Sequence, residues 1–155
     1  MFSFDGDKKL HGVQSRIRRI LDLTVPNYGD GPQVDRTEDR YNRTLPALLC
    51  DWEQSRLVPG GSLFVATRDI SGQGVGVLLQ QPFRAQRVLL AFWLDDEVSP
   101  DPWFFLGQSE SLRKIGGGFW TLGIRLTEFA SSKCRGPFAE LAPLLKQLRE
   151  SSAPA

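Results

Sequence analysis

Histidine is almost absent from this chain, His11 being the only one among 155 residues. A Ser-His-Asp or Cys-His centre needs its base held by packed structure, and His11 lies in a polar N-terminal stretch that reads as a tail. Cysteine is equally scarce. Cys50 and Cys134 form neither a zinc spacing nor a disulfide framework, and they read as buried thiols of a reducing compartment. No run approaches the roughly 20 apolar residues of a membrane span. The opening segment, MFSFDGDKKL, lacks the charged-then-apolar order of a secretory leader. An excess of either charge is missing too, since 19 Lys plus Arg face 18 Asp plus Glu, for a net of +1. That balance excludes an overall basic coat for DNA or RNA. No acidic pair suited to carboxylate catalysis stands out, because Asp95, Asp96 and Glu97 run into the turn-like Ser99-Pro100-Asp101-Pro102. The expectation is a cytoplasmic, non-enzymatic, single-domain protein without a metal or a transmembrane segment.

What is present is an ordinary globular composition with strongly punctuated strand patterns. Hydrophobic residues make up 41% of the chain, enough for a buried core. Val13, Ile17, Ile20 and Leu21 share one face of a short helix over Val13–Leu23, with Arg16, Arg18 and Arg19 elsewhere around it. The stretch Val25–Asp39 is rich in Pro, Gly, Asp and Asn and reads as a linker. Beyond it, strands are expected over Thr44–Trp52, Ser62–Ile70, Val75–Gln80, Arg87–Leu94, Trp103–Ile115 and Phe119–Phe129. Breaks fall at Pro59-Gly60-Gly61, Ser71-Gly72-Gln73-Gly74, Pro82 and Gly116-Gly117-Gly118. Strands at such spacing without intervening helices point to a small antiparallel barrel or sandwich. A C-terminal stripe of Phe138, Leu141, Leu144, Leu145 and Leu148 is helical, and Pro143 places its regular start near that residue.

Two clusters sit at the junctions of these strands. Arg36, Arg40 and Arg43 stand where the linker enters the first strand; Asp69-Ile70-Ser71-Gly72-Gln73-Gly74 forms the turn between the second and third. Guanidinium groups bond phosphate, fork onto guanine O6 and N7, or stack on a purine. A carboxylate only accepts, so Asp69 suits the donor edge of guanine. Ser71 adds a small hydroxyl, and Gly74 permits close backbone approach. By strict strand alternation, Arg68 points to the face opposite Asp69. The four tryptophans also invite base stacking, but no basic groove accompanies them, so DNA or RNA binding is not expected.

An RxxxR (Arg36 to Arg40) followed across a strand pair by DxSxxG (Asp69 to Gly74) resembles the PilZ domain, the bacterial receptor for cyclic diguanylate (c-di-GMP). The likeness spans about residues 36–130. It implies an all-β fold, a small six-stranded antiparallel barrel with short N- and C-terminal helices. The chain then divides into helix and linker (1–35), barrel (36–130) and C-terminal helix with tail (131–155). The implied ligand is c-di-GMP, held by Arg36, Arg40, Arg43, Asp69, Ser71 and Gly74, with no catalysis and no metal. Two arginine pairings fit: Arg36 with Arg40, or Arg40 with Arg43, which directly precedes the strand. The segment Glu53–Gly61 reads as an extra hairpin loop. Ligand binding is expected to clamp the arginine-bearing linker on the barrel and present a changed surface to a protein partner. The alternative is a PilZ-like adaptor that binds protein but no c-di-GMP. Monomer and dimer both remain open.

Overall fold

The computed structural model describes residues 4–23, 41–53, 56–92, 102–130 and 135–152. In chain order these form α1 (Phe4–Leu23), β1 (Tyr41–Asn42), β2 (Pro46–Glu53), β3 (Arg56–Ile70) and β4 (Gly74–Leu79). They continue with β5 (Arg87–Phe92), β6 (Trp103–Gly116), β7 (Phe119–Phe129) and α2 (Arg135–Ser152). The sheet runs β3-β2-β5-β6-β7-β4, and β4 pairs back onto β3, which closes a six-stranded antiparallel barrel. The two-residue β1 adds to the upper half of β3 through Tyr41↔Ile70 and Asn42↔Asp69. Closure leaves few unpaired strand edges, a sound solution for a chain of this size.

The side chains sort by strand period. Ala47 and Leu49 of β2, Val75, Val77 and Leu79 of β4, and Leu122, Ile124 and Leu126 of β7 fill the interior. On β5 the inward set is Val88, Leu90 and Phe92, while Leu89 and Ala91 face outward beneath α2. The uninterrupted apolar run of β5 thus serves two cores, one inside the barrel and one under a helix. Leu48, Cys50 and Phe104 join Leu89 and Ala91 there, against Leu141, Leu145 and Leu148 of α2. On the other side α1 lies along β7, where Val13, Ile17 and Ile20 join the interior cluster. Arg16 sets its guanidinium 4.5 Å from the Phe129 ring centroid, a cation–π contact that seats the helix.

Three expectations need correction. His11 is not in a tail; it is an exposed residue of α1, which begins at Phe4. Gly6 and Gly12 weaken the local helical signal, and docking on the barrel supplies what propensity lacks. The segment Glu53–Gly61 is not a plain loop, because the β2–β3 hairpin continues to the pair Glu53↔Arg56. Between Cys50↔Ser62 and Trp52↔Leu57 the register slips, so Val58 to Gly61 bulge from β3, with Gly60 at φ 74°. Proline and glycine are accepted in a strand at such a bulge. The C-terminal helix begins at Arg135 and takes Pro143 inside it. Pro143 is exposed, so the carbonyl its ring deprives of a partner can be hydrated. Trp93 and Cys134 lie outside the described residues.

Cys50 is fully buried, and burial pushes its thiol up to about 11 from 9.0, against a smaller lowering by the Ser62 hydroxyl. Because the folded value is raised, the thiol's contribution to stability is full below about pH 9. It is lost as pH rises through about 11. In a Cys134→Ser background, iodoacetamide is expected to leave the native protein unlabelled at about pH 8 and to label it once urea unfolds it. Native labelling at the rate of a free thiol would contradict this packing of β2 against α2.

Candidate functional site

With α2 over β2, β5 and β6, and α1 along β7, the outer face of β3, β4 and the distal β6–β7 hairpin carries a cleft. Its volume is about 370 Å3, and Asp69, Ser71 and Gly74 all line it. A flat floor makes it possible. Across the strands the outward row reads Asp69, Gly76, Gly123 and Ser111 through the pairs Asp69↔Gly76, Gly76↔Gly123 and Ser111↔Gly123. Both central positions have no side chain, and one added at either would have to push a neighbouring polar side chain aside. A Cβ on Gly76 would stand 2.7 Å from Asp69 Oδ1, and one on Gly123 would stand 2.9 Å from Ser111 Oγ. Bare backbone flanked by a carboxylate and a hydroxyl suits a planar ring lying against it.

The turn that ends β3 is held by its own sequence. The Ser71 N–H donates to the Gly74 carbonyl at 2.8 Å, and the Gly74 N–H donates to Ser71 Oγ at 3.1 Å. The Gln73 carbonyl accepts from the Leu126 N–H at 2.8 Å, which pins the turn to β7. Ser71 therefore shapes the rim as much as it offers a polar atom.

Arg68 also lines the cleft, contrary to the alternation expected for it. Opposite β4, Thr67 pairs with Val77 and Asp69 with the adjacent Gly76, so Arg68 is the extra residue of a β-bulge. A bulge breaks the two-residue period, and Arg68 and Asp69 share the outer face while Thr67 and Ile70 stay buried. Sequence reading also missed Arg113 and Arg125, which enter the cleft from β6 and β7. For Arg125 the signal was available as alternation, since Thr121, Gly123 and Arg125 alternate with inward Leu122, Ile124 and Leu126. Three guanidiniums, Arg68, Arg113 and Arg125, face two carboxylates, Asp69 and Glu110, among the lining residues.

Of the three linker arginines, Arg36 and Arg40 lie outside the described residues. Arg43 does not line the cleft. It is 6% exposed, its Nη1 donates to the Asn42 carbonyl at 3.1 Å, and its guanidinium lies 5.9 Å from the Tyr41 ring centroid. Buried Thr67 fixes this segment: its hydroxyl donates to the Arg43 carbonyl and accepts from the Leu45 N–H at 2.8 Å. The consequence is a rigid entry to the barrel, with Asn42 paired beside Asp69.

Among the described residues no three His, Cys, Asp or Glu side chains are grouped to hold a metal ion, and no helix is long and apolar enough to cross a membrane. No protein-family model matches the chain, and no curated protein matches it. Among solved structures it is similar to the Bacillus subtilis Inhibitor of motility (MotI/DgrA), at a TM-score of 0.46 and 12% identity. The match covers 79% of this chain and 57% of that one, so the chain spans less than two thirds of that protein's length.

Proposed function

We propose that this chain is a PilZ-like receptor for c-di-GMP, which changes a protein-interaction surface when the ligand binds. The observation that supports this most directly is the placing of Asp69, Ser71 and Gly74 of the DxSxxG run on one glycine-floored cleft among three guanidiniums. In this reading Asp69 accepts from the amine edge of a guanine lying over Gly76 and Gly123. The arginines take the phosphates, where charge-assisted, forked bonds are strongest. Arg40 and Arg36 close over the ligand from the segment that leads into β1, clamping it to the barrel. That closing is the signal, since it alters what the barrel presents to a partner.

One observation favours the second reading, an adaptor that binds protein only. Arg43 is spent on Asn42 and Tyr41 and stands outside the cleft. Isothermal titration separates the two. Under the receptor reading, c-di-GMP binds saturably with a Kd of about 10 μM or tighter, and GTP and cyclic AMP do not compete. Arg40→Glu abolishes that heat while the melting temperature is unchanged. An absence of heat and of any melting shift at high ligand concentration would leave the adaptor.

A further inference from the structure

We infer that Arg113 and Arg125 form a two-point phosphate subsite on the β6–β7 hairpin, and that Glu110 competes with the ligand for it. The inference rests on the c-di-GMP reading of the same cleft, and it assigns ligand contacts to a hairpin that the sequence motifs do not touch. The two arginines bracket the glycine floor. Arg125 pairs with Gly74 on one side of the Gly76–Gly123 row, and Arg113 pairs with Thr121 on the other. Thr121 and Arg125 are four residues apart on β7, which separates the two attachment points by about 13 Å along the strand. Both side chains are long enough to reach inward from their ends. A ligand with two phosphates and a planar base matches this spacing better than a single phosphate does.

Glu110 is placed to oppose them. On β6 the register passes from Ser109↔Ile124 to Ser111↔Gly123, so Glu110 is an inserted bulge residue that lines the cleft. The floor is thus flanked by two bulges, Arg68 on β3 and Glu110 on β6, each adding a charge that regular pairing would not supply. Glu110 Oε1 lies 3.3 Å from Arg125 Nε, and Arg125 Nη2 donates to Gln108 Oε1 at 2.8 Å. These contacts occupy Arg125 and set a carboxylate against its charge. A phosphate entering the cleft takes the guanidinium from a carboxylate that is 56% exposed and therefore cheaply rehydrated. Glu110 in this way sets the affinity without touching the base.

The test is titration of c-di-GMP into the full chain and into Glu110→Gln and Arg113→Gln/Arg125→Gln variants, with melting curves as the folding control. Removing the competing carboxylate is expected to tighten binding about threefold to fivefold, the scale of an exposed ion pair. The double arginine variant is expected to weaken it at least about tenfold while Arg40 and Arg43 are intact. Binding by Glu110→Gln where the natural chain binds too weakly to detect also supports the inference. An unchanged affinity in either variant, with the natural chain binding, overturns the subsite and leaves the receptor reading standing. No binding by any of the three proteins overturns both.

Discussion

Phe105→Ala is expected to lower the stability of the chain by about 3–5 kcal/mol, the cost of deleting a buried aromatic ring. Phe105 is fully buried, and it is the centre of an edge-to-face chain of rings. Its centroid lies 6.0 Å from Phe92 at 77° and 5.3 Å from Phe129 at 65°, and Phe129 in turn lies 5.8 Å from Trp103 at 75°. These rings join β5, β6 and β7, and through Phe129 they meet Arg16 of α1. Truncation therefore leaves a void and also loosens the seat of a helix. For a domain of this size each kcal/mol moves Tm by about 2–4 °C, so a drop on the order of 10 °C is expected. A loss below about 1 kcal/mol in urea unfolding would mean that the cluster collapses without cost, against the close packing of these rings.

Gly76→Val is expected to spare the fold and remove the ligand site. Gly76 is absent from the positive-φ glycines, which leaves no backbone strain to charge to a side chain there. The conflict is local, since the new Cβ meets the Asp69 carboxylate oxygen at 2.7 Å. Asp69 has to swing away, and the valine methyls occupy the floor where a ring would lie. Under the receptor reading, c-di-GMP affinity falls at least about tenfold, or 1.4 kcal/mol, while Tm stays within a few degrees. Gly72→Ala is the control in the turn that leads into the same strand, because nothing lies within 4 Å of a Cβ there. Equal loss of binding in both variants would point to general damage to the turn, and retained binding in Gly76→Val would remove the floor from the site.

The strands were legible because each has a two-residue period or a continuous apolar run between clear breaks. Phe119–Phe129 and Trp103 as a strand start needed no tertiary information, nor did the triglycine turn, whose residues Gly116, Gly117 and Gly118 all have positive φ. Asp69, Ser71 and Gly74 were legible as a turn for the same local reason, the hydroxyl and backbone bonds that Ser71 makes to Gly74. What failed was every inference that extended a period through an irregularity. Arg68 is on the Asp69 face because of one inserted residue opposite β4, and a bulge leaves no dependable mark in a single sequence. Glu110 entered the cleft by the same device. The Pro59-Gly60-Gly61 break was real, yet it interrupts a hairpin that resumes beyond it.

By itself, then, the sequence determined an all-β chain with a helix at each end and a polar turn at Asp69–Gly74. These follow from side-chain periodicity and backbone preferences, which act between residues close in the chain. The tertiary structure alone decided that β4 closes on β3, that α2 covers the second apolar face of β5, and that Arg68, Arg113 and Arg125 meet over two glycines. Each of those depends on register between strands distant in sequence, where a shift of one residue turns a side chain from the cleft into the core.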